Sequence, residues 1–205
     1  MINYLFSQVS KETGFSSFQK EYVLKNVVSE MNIAFIASTP DNYERSDEQI
    51  SRFKKYFGDI DIIFKNIYLI DSRTTKEKAK DIINNCDIIF LLGGSPDLQM
   101  KFIDNYELGE LIRTVKIIMG VSAGAMNQGS RVIYIDDYDN FELKDYPGLN
   151  FTDVNVYPHY DLNNQDCLDE VKKIASHHHV ICIPNESFVY IDNGNIEIIG
   201  KYYEF

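Results

Sequence analysis

Short, nearly unbroken apolar runs alternate along the chain with longer stretches in which apolar residues recur at helical spacing. Ile2 to Phe6, Ile33 to Ala37, Ile67 to Ile70, Ile88 to Leu92 and Ile117 to Met119 have strand length; Ser16 to Glu30, Ser46 to Tyr56 and Thr75 to Asn84 read as helices. Strands that are apolar at consecutive positions, not at every second one, are buried on both faces. Repeated strand-helix order with such strands predicts an α/β fold, a mostly parallel sheet flanked by helices, in one domain over residues 1–205. After Ser130 the pattern loosens into Asp- and Tyr-rich sequence that reads as loops and short strands. A helix returns over Gln165 to Ser176, followed by strands at Val180 to Ile183, Phe188 to Ile191 and Ile196 to Gly200. Asp192-Asn193-Gly194-Asn195 between the last two is a hairpin turn, because Asn-Gly tolerates the positive φ such a turn needs. There is no internal repeat and no low-complexity segment.

Composition narrows the classes. With 44% hydrophobic and 13% aromatic residues, 205 residues can bury a sizeable core. Twenty basic against 31 acidic residues give a net charge of −11, which repels phosphate backbones and anionic membrane surfaces, so neither nucleic acid nor membrane is an expected partner. No apolar stretch reaches the length of a membrane span, and Met1 to Ser10 lacks the basic start and cleavage site of a secretory leader. Cys86, Cys167 and Cys182 are odd in number and without paired spacing, which suits reduced thiols in a cytoplasmic protein. A homodimer is left open.

In parallel sheets ligands gather at the carboxyl ends of the strands, and two Gly-containing turns fall at such ends. The second is Gly120-Val121-Ser122-Ala123-Gly124-Ala125, a serine on a sharp strand-to-helix turn. The glycines on either side of Ser122 fit an elbow too tight for side chains, and the N–H of Ala123 points where an oxyanion would form. Many G-x-S-x-G matches are plain turns, so the motif needs a base. Of four histidines, His177, His178 and His179 stand at the end of the helix from Gln165, where a solvated, dipole-favoured turn explains them. Contiguous positions share no helical face and converge poorly on one metal ion. His159, after Val156-Tyr157-Pro158, is the isolated candidate for the base. The first turn, Gly93-Gly94-Ser95-Pro96-Asp97, pairs a helix start, with Ser95 as N-cap and Pro96 at the first position, with two glycines that let backbone approach a ligand. A second oxyanion N–H there is worth roughly 3 kcal/mol in a transition state.

In this order, a Gly-Gly turn, the Gly-Val-Ser-Ala-Gly-Ala elbow and Pro158-His159, the chain resembles the dipeptidase E and cyanophycinase group of serine peptidases from about Ile2 to Ile191. The resemblance implies a flavodoxin-like fold akin to class I glutamine amidotransferases, with serine where those enzymes carry cysteine. It further implies Ser122 as nucleophile, His159 as base, Gly94 and Ala123 as oxyanion donors, and no metal or other cofactor. The chain departs from the group's pattern at Ser95, where the group has asparagine, and at Met126, with Asn127 displaced by one. The acidic third member falls in Pro184-Asn185-Glu186-Ser187, where aligning the proline gives Asn185 and a one-residue shift gives Glu186; Asp161 is a third option.

Dipeptidase E enzymes resemble one another in an arginine after the histidine that holds an N-terminal aspartate. From Tyr160 to Val171 this chain has no basic residue, and Asp161, Asp166, Asp169 and Glu170 would repel such a side chain, so strict Asp-X cleavage is not expected. The expected substrate is a short peptide with a free amino end, drawn by an acidic surround. Two other readings fit the elbow: an esterase of the α/β-hydrolase type, in which the acid precedes a late histidine, and a catalytically silent binding or sensing homologue.

Overall fold

In the computed structural model, which describes residues 1–137 and 142–205, the apolar runs become the strands of one central sheet. The first half comprises β1 (Ile2–Phe6), α1 (Ser17–Leu24), β2 (Asn32–Ile36), α2 (Tyr43–Gly58), β3 (Asn66–Ile70), α3 (Lys76–Asn84), β4 (Ile88–Leu91), α4 (Pro96–Tyr106), α5 (Gly109–Arg113), β5 (Ile117–Val121) and α6 (Ala123–Met126). The second comprises β6 (Arg131–Asp137), β7 (Glu142–Pro147), β8 (Val156–Pro158), α7 (Gln165–Ala175), β9 (Ile181–Ile183), β10 (Phe188–Asp192), β11 (Asn195–Ile199) and β12 (Tyr203–Glu204).

The central sheet has seven strands in the order β11-β10-β1-β5-β4-β2-β3. β1, β5, β4, β2 and β3 are parallel, and β10 and β11 extend the sheet antiparallel beyond β1. The order β3-β2-β4-β5 follows the start of the flavodoxin arrangement, with β1 in the place of its last strand. Both faces are covered, which is why the strands lack polar alternation. Ile33 and Phe35 pack with Val23 of α1 and Phe53 and Phe57 of α2, whereas Ala34 and Ile36 pack with Ile82 of α3 and Ile103 of α4. Each fully buried Ile or Phe contributes roughly 1.5–3 kcal/mol. No helix among the described residues is long and apolar enough to cross a membrane.

Element boundaries depart from the sequence pattern where a cap or a backbone sign decides. α1 opens with a capping box, the Gln19 N–H donating to Ser16 Oγ at 3.3 Å and the Ser16 N–H to Gln19 Oε1 at 3.0 Å. It stops well before the predicted Glu30, which stands at φ 69° and turns the chain into β2 without a Gly or Pro to announce it. α2 starts before the predicted Ser46 because Asn42 Oδ1 accepts the Arg45 N–H at 3.1 Å. β6 and β7 form an antiparallel ribbon rather than the expected loops and short strands, and the rest of that stretch, 138–141, lies outside the described residues. Val132 and Ile133, on opposite faces of β6, are both buried in separate clusters, which masks the alternation a ribbon normally shows. The β10–β11 hairpin turns at Asn193 (φ 49°) and Gly194 (φ 87°), as predicted.

Candidate active site

Ser122 sits between β5 and α6 at φ 53° and ψ −114°, a conformation that costs a non-glycine residue on the order of 1–3 kcal/mol. Its N–H donates to the Phe6 carbonyl at 2.9 Å, and its carbonyl accepts the N–H groups of Ala125 and Met126 at 2.9 and 3.1 Å. A Cβ on Gly120 would run into the Gly124 carbonyl, and one on Gly124 into the Leu91 carbonyl, so β4, β5 and α6 close only around bare backbone. Two buried amides fix α6 from behind. Gln128 Nε2 donates to the Tyr4 and Gly124 carbonyls at 3.1 and 3.3 Å, and Asn127 Nδ2 to the Pro96 carbonyl and Gln99 Oε1 at 3.1 and 2.9 Å. The sequence pattern marked Asn127 only as an asparagine displaced by one and passed over Gln128; adjacent amides directly after an otherwise apolar α6 were the available signal for both roles.

His159 follows β8 at φ 60°, like Ser122 a non-glycine residue held in the left-handed region. Its N–H donates to Ser7 Oγ at 2.8 Å, and the buried Ser7 hydroxyl donates to the Ile183 carbonyl at 3.0 Å, so the segment after β1 and strand β9 pin the histidine backbone. The imidazole Nε2 stands 2.8 Å from Ser122 Oγ, and Nδ1 stands 2.6 Å from Asn185 Oδ1. An amide oxygen only accepts. Nδ1 therefore carries the proton and Nε2 presents its lone pair to the hydroxyl.

Of the three residues left open beside the base, the fold brings only Asn185 to it. The Ser187 N–H donates to the Pro184 carbonyl at 2.9 Å, closing a turn whose two central side chains diverge. Glu186 is exposed and makes no hydrogen bond or ion pair among the described residues, so the fold does not set it against the imidazole. Asp161 Oδ1 accepts from the N–H and the side-chain amide of Asn163 at 2.9 and 3.2 Å and closes its own loop.

Gly94 stands at φ 150°, where an added Cβ would collide with Ser38 Oγ. Ser38 Oγ and Gln49 Nε2 donate to the Gly93 carbonyl at 2.7 and 2.9 Å and hold the turn. Among the described residues, neither the Gly94 N–H nor the Ala123 N–H has a hydrogen-bond partner, and both residues line a recess with Ser122 and His159. Ser95 occupies the N-cap position of α4 as expected, but its hydroxyl donates to the Asp97 carboxylate instead of accepting from the helix. The three contiguous histidines take separate partners. His177 Nδ1 lies 2.8 Å from Ser176 Oγ, His178 Nε2 lies 2.7 Å from Asp145 Oδ2, and His179 Nε2 lies 3.9 Å from Glu204 Oε2.

Two recesses share Ser122, His159, Gly94 and Arg45. One, of about 500 Å³, is lined by Tyr134, Asp136, Tyr157 and Glu170. Burial first, and the Glu170 carboxylate second, raise the Tyr157 phenol far above its ordinary pKa, so it lines this recess as a neutral hydroxyl. The other, of about 410 Å³, runs along α2 and is lined by Lys11, Arg45, Glu48 and Arg52. The expected acidic surround thus describes one side only. Cations absent from residues 160–171 arrive instead on α2, a placement that depends on helix packing and not on any local motif.

An alcohol held on a strained strand-to-helix turn with an imidazole against it is the arrangement of serine hydrolases. The chain belongs to peptidase family S51, whose family model matches residues 6–199, and it is a serine peptidase of that dipeptidase E and cyanophycinase family. Its fold is similar to the crystal structure of a candidate peptidase E protein from Listeria monocytogenes EGD-e, with a TM-score of 0.71 at 19% identity over 96% of each chain. It is also similar to a peptidase from an acI-B1 Actinobacterium, with a TM-score of 0.71 at 13% identity, covering 100% of this chain and 93% of that one. No curated protein matches the sequence.

Proposed function

We propose that the protein hydrolyses short peptides bearing a free amino end, in the manner of a dipeptidase or aminopeptidase, through an acyl-enzyme on Ser122. The reading is carried by the 2.8 Å contact of His159 Nε2 with a serine hydroxyl on a left-handed elbow. As Oγ attacks the scissile carbonyl, Nε2 takes its proton, and the carbonyl oxygen becomes an oxyanion facing the N–H groups of Gly94 and Ala123. The C–N bond then breaks, and Nε2 hands the proton to the leaving amine. Water attacks the resulting ester, gives its proton to Nε2, and the release of the carboxylic acid returns a proton to Oγ. Asn185 orients the imidazole and fixes its tautomer throughout. The exposed Asp136 in the neighbouring recess suits the substrate ammonium. Free Cys86, Cys167 and Cys182 accord with a reducing, cytoplasmic setting.

A fluorophosphonate probe reports serine activation without knowledge of the substrate. It should label the native protein stoichiometrically at Ser122 and fail on urea-unfolded protein; a native protein that stays unlabelled would remove the peptidase mechanism and favour the silent homologue. Parallel profiling of esters and peptides separates the peptidase from the esterase.

Asn185 carries its own expectation. Asn185→Ala removes the acceptor of the Nδ1 proton and should lower kcat by about 10–100-fold with KM little changed, while Asn185→Asp retains activity. Unchanged kcat in Asn185→Ala would mean that Ser122 and His159 act as a dyad.

A further inference from the structure

The recess along α2 has the opposite sign to the rest of the protein. In a chain of net charge −11, Lys11, Arg45 and Arg52 line it with a single carboxylate, Glu48. Arg45 and Arg52 lie two turns apart on one face of α2, about 10 Å along the axis. Arg52 comes no closer than 3.8 Å to Glu48, beyond hydrogen-bond reach. Lys11 and Arg45 have no ion pair and no side-chain hydrogen bond among the described residues. Arg45 is the cation nearest the chemistry, since a Cβ built on Gly94 would lie 3.2 Å from its Nη2. Three cations spread along a concave wall exceed what one oxyanion at Gly94 and Ala123 needs. They match a second anion further along the cleft, and the planar guanidinium fork matches a carboxylate in particular.

The neighbouring recess, which shares Arg45, adds two carboxylates: Asp136, exposed and 3.8 Å from Lys144 Nζ, and Glu170, buried with its Oε1 accepting the Ile135 N–H at 2.8 Å. A short peptide likewise carries an ammonium at one end and a carboxylate at the other, with the scissile carbonyl between them. We infer that Arg45, with Arg52 and Lys11 beyond it, holds a carboxylate of the substrate in the α2 recess while the ammonium end lies toward the exposed Asp136. The inference rests on the peptidase reading of Ser122 and adds to it the recognition of the substrate's anion. One residue past the scissile bond spans about 3.5 Å, which suits Arg45; Arg52 serves a carboxylate about three residues further on. The same fork receives a main-chain terminus or an acidic side chain.

Binding to full-length Ser122→Ala, followed by titration calorimetry, tests this without turnover. Three ligands are compared: alanyl-alanine, its C-terminal amide, and alanyl-glutamate amidated at its α-carboxylate. At least one carboxylate-bearing ligand should bind about ten-fold or more tightly than the C-terminal amide, which keeps the ammonium and lacks the anion, with the preference shrinking as salt is added. Adding Arg45→Ala, at an exposed position, and Arg52→Ala, at a half-buried one, should bring that ratio to about one. Preference for alanyl-alanine assigns the carboxylate to the main-chain terminus, and preference for the glutamate ligand assigns it to a side chain; both support the inference. Equal binding of all three, binding of none, or a preference that survives the double substitution overturns it. Fluorophosphonate labelling of the wild type is scored separately, so failure here leaves the reading of Ser122 standing, and an unlabelled serine leaves the binding result standing.

Discussion

Replacing Ser122 with alanine should lower kcat on any cleaved peptide by about 10⁴-fold or more, with the fold intact. The magnitude follows from what the hydroxyl alone supplies. In the proposed mechanism no acyl-enzyme forms without Oγ, and His159 Nε2, 2.8 Å from that oxygen, is left with no nucleophile to deprotonate. The unpartnered N–H groups of Gly94 and Ala123 remain and still polarise a bound carbonyl, so a small residual rate over water is compatible with the mechanism. Stability should change by no more than about 1 kcal/mol. Alanine keeps a Cβ and with it the strain at φ 53°, and the hydroxyl's partner, His159, is solvent-exposed and can turn to water. Matching near-UV circular dichroism with lost turnover is the expected pair of readings; substantial turnover in the variant would exclude Ser122 as the nucleophile.

Gly124→Ala should be the most damaging single-methyl change in the elbow, costing at least about 3 kcal/mol and lowering Tm by roughly 6–12 °C. The added Cβ meets the Leu91 carbonyl, and this is backbone of a central strand, hydrogen-bonded in the sheet and unable to swing aside as a side chain would. Relief requires α6 to lift from β4, which would carry the Ala123 N–H away from Ser122 and loosen the Gln128 contacts to the Tyr4 and Gly124 carbonyls. Thermal unfolding of the purified variant measures the effect, and activity should fall with it. An unaltered Tm would show that the packing between β4 and α6 is softer than described.

The sheet was legible in the sequence because its strands are buried on both faces, so Ile33 to Ile36 and Ile88 to Leu91 are apolar throughout. The elbow was legible for a related reason: close backbone passage admits only glycine, and the requirement is written locally as Gly120 and Gly124. His159 stood out among four histidines by its isolation. What stayed hidden depends on packing between distant segments. Ser7 looks like the end of an apolar run until the fold sets its hydroxyl under the His159 N–H. Arg45 and Arg52 look like the solvated face of a helix until α2 is laid beside the cleft. The choice between Asn185 and Glu186 turned on which side chain of the turn after Pro184 the fold aims at His159, a contact of 2.6 Å for Asn185 that no composition or periodicity encodes.

The interleaving of early and late segments bears on how the protein is made. β1 pairs on one side with β5 and on the other with β10, which in turn pairs β11, so a polypeptide still leaving the ribosome cannot complete its central layer until about residue 199 has emerged. The alcohol is translated 37 residues before its imidazole, and the imidazole 26 before the amide that aligns it. Hydrolytic competence then arrives only after Asn185 and β10 have been added, giving the growing chain a latency set by its own topology, and fragments ending ahead of Asn185 should be inert toward peptides.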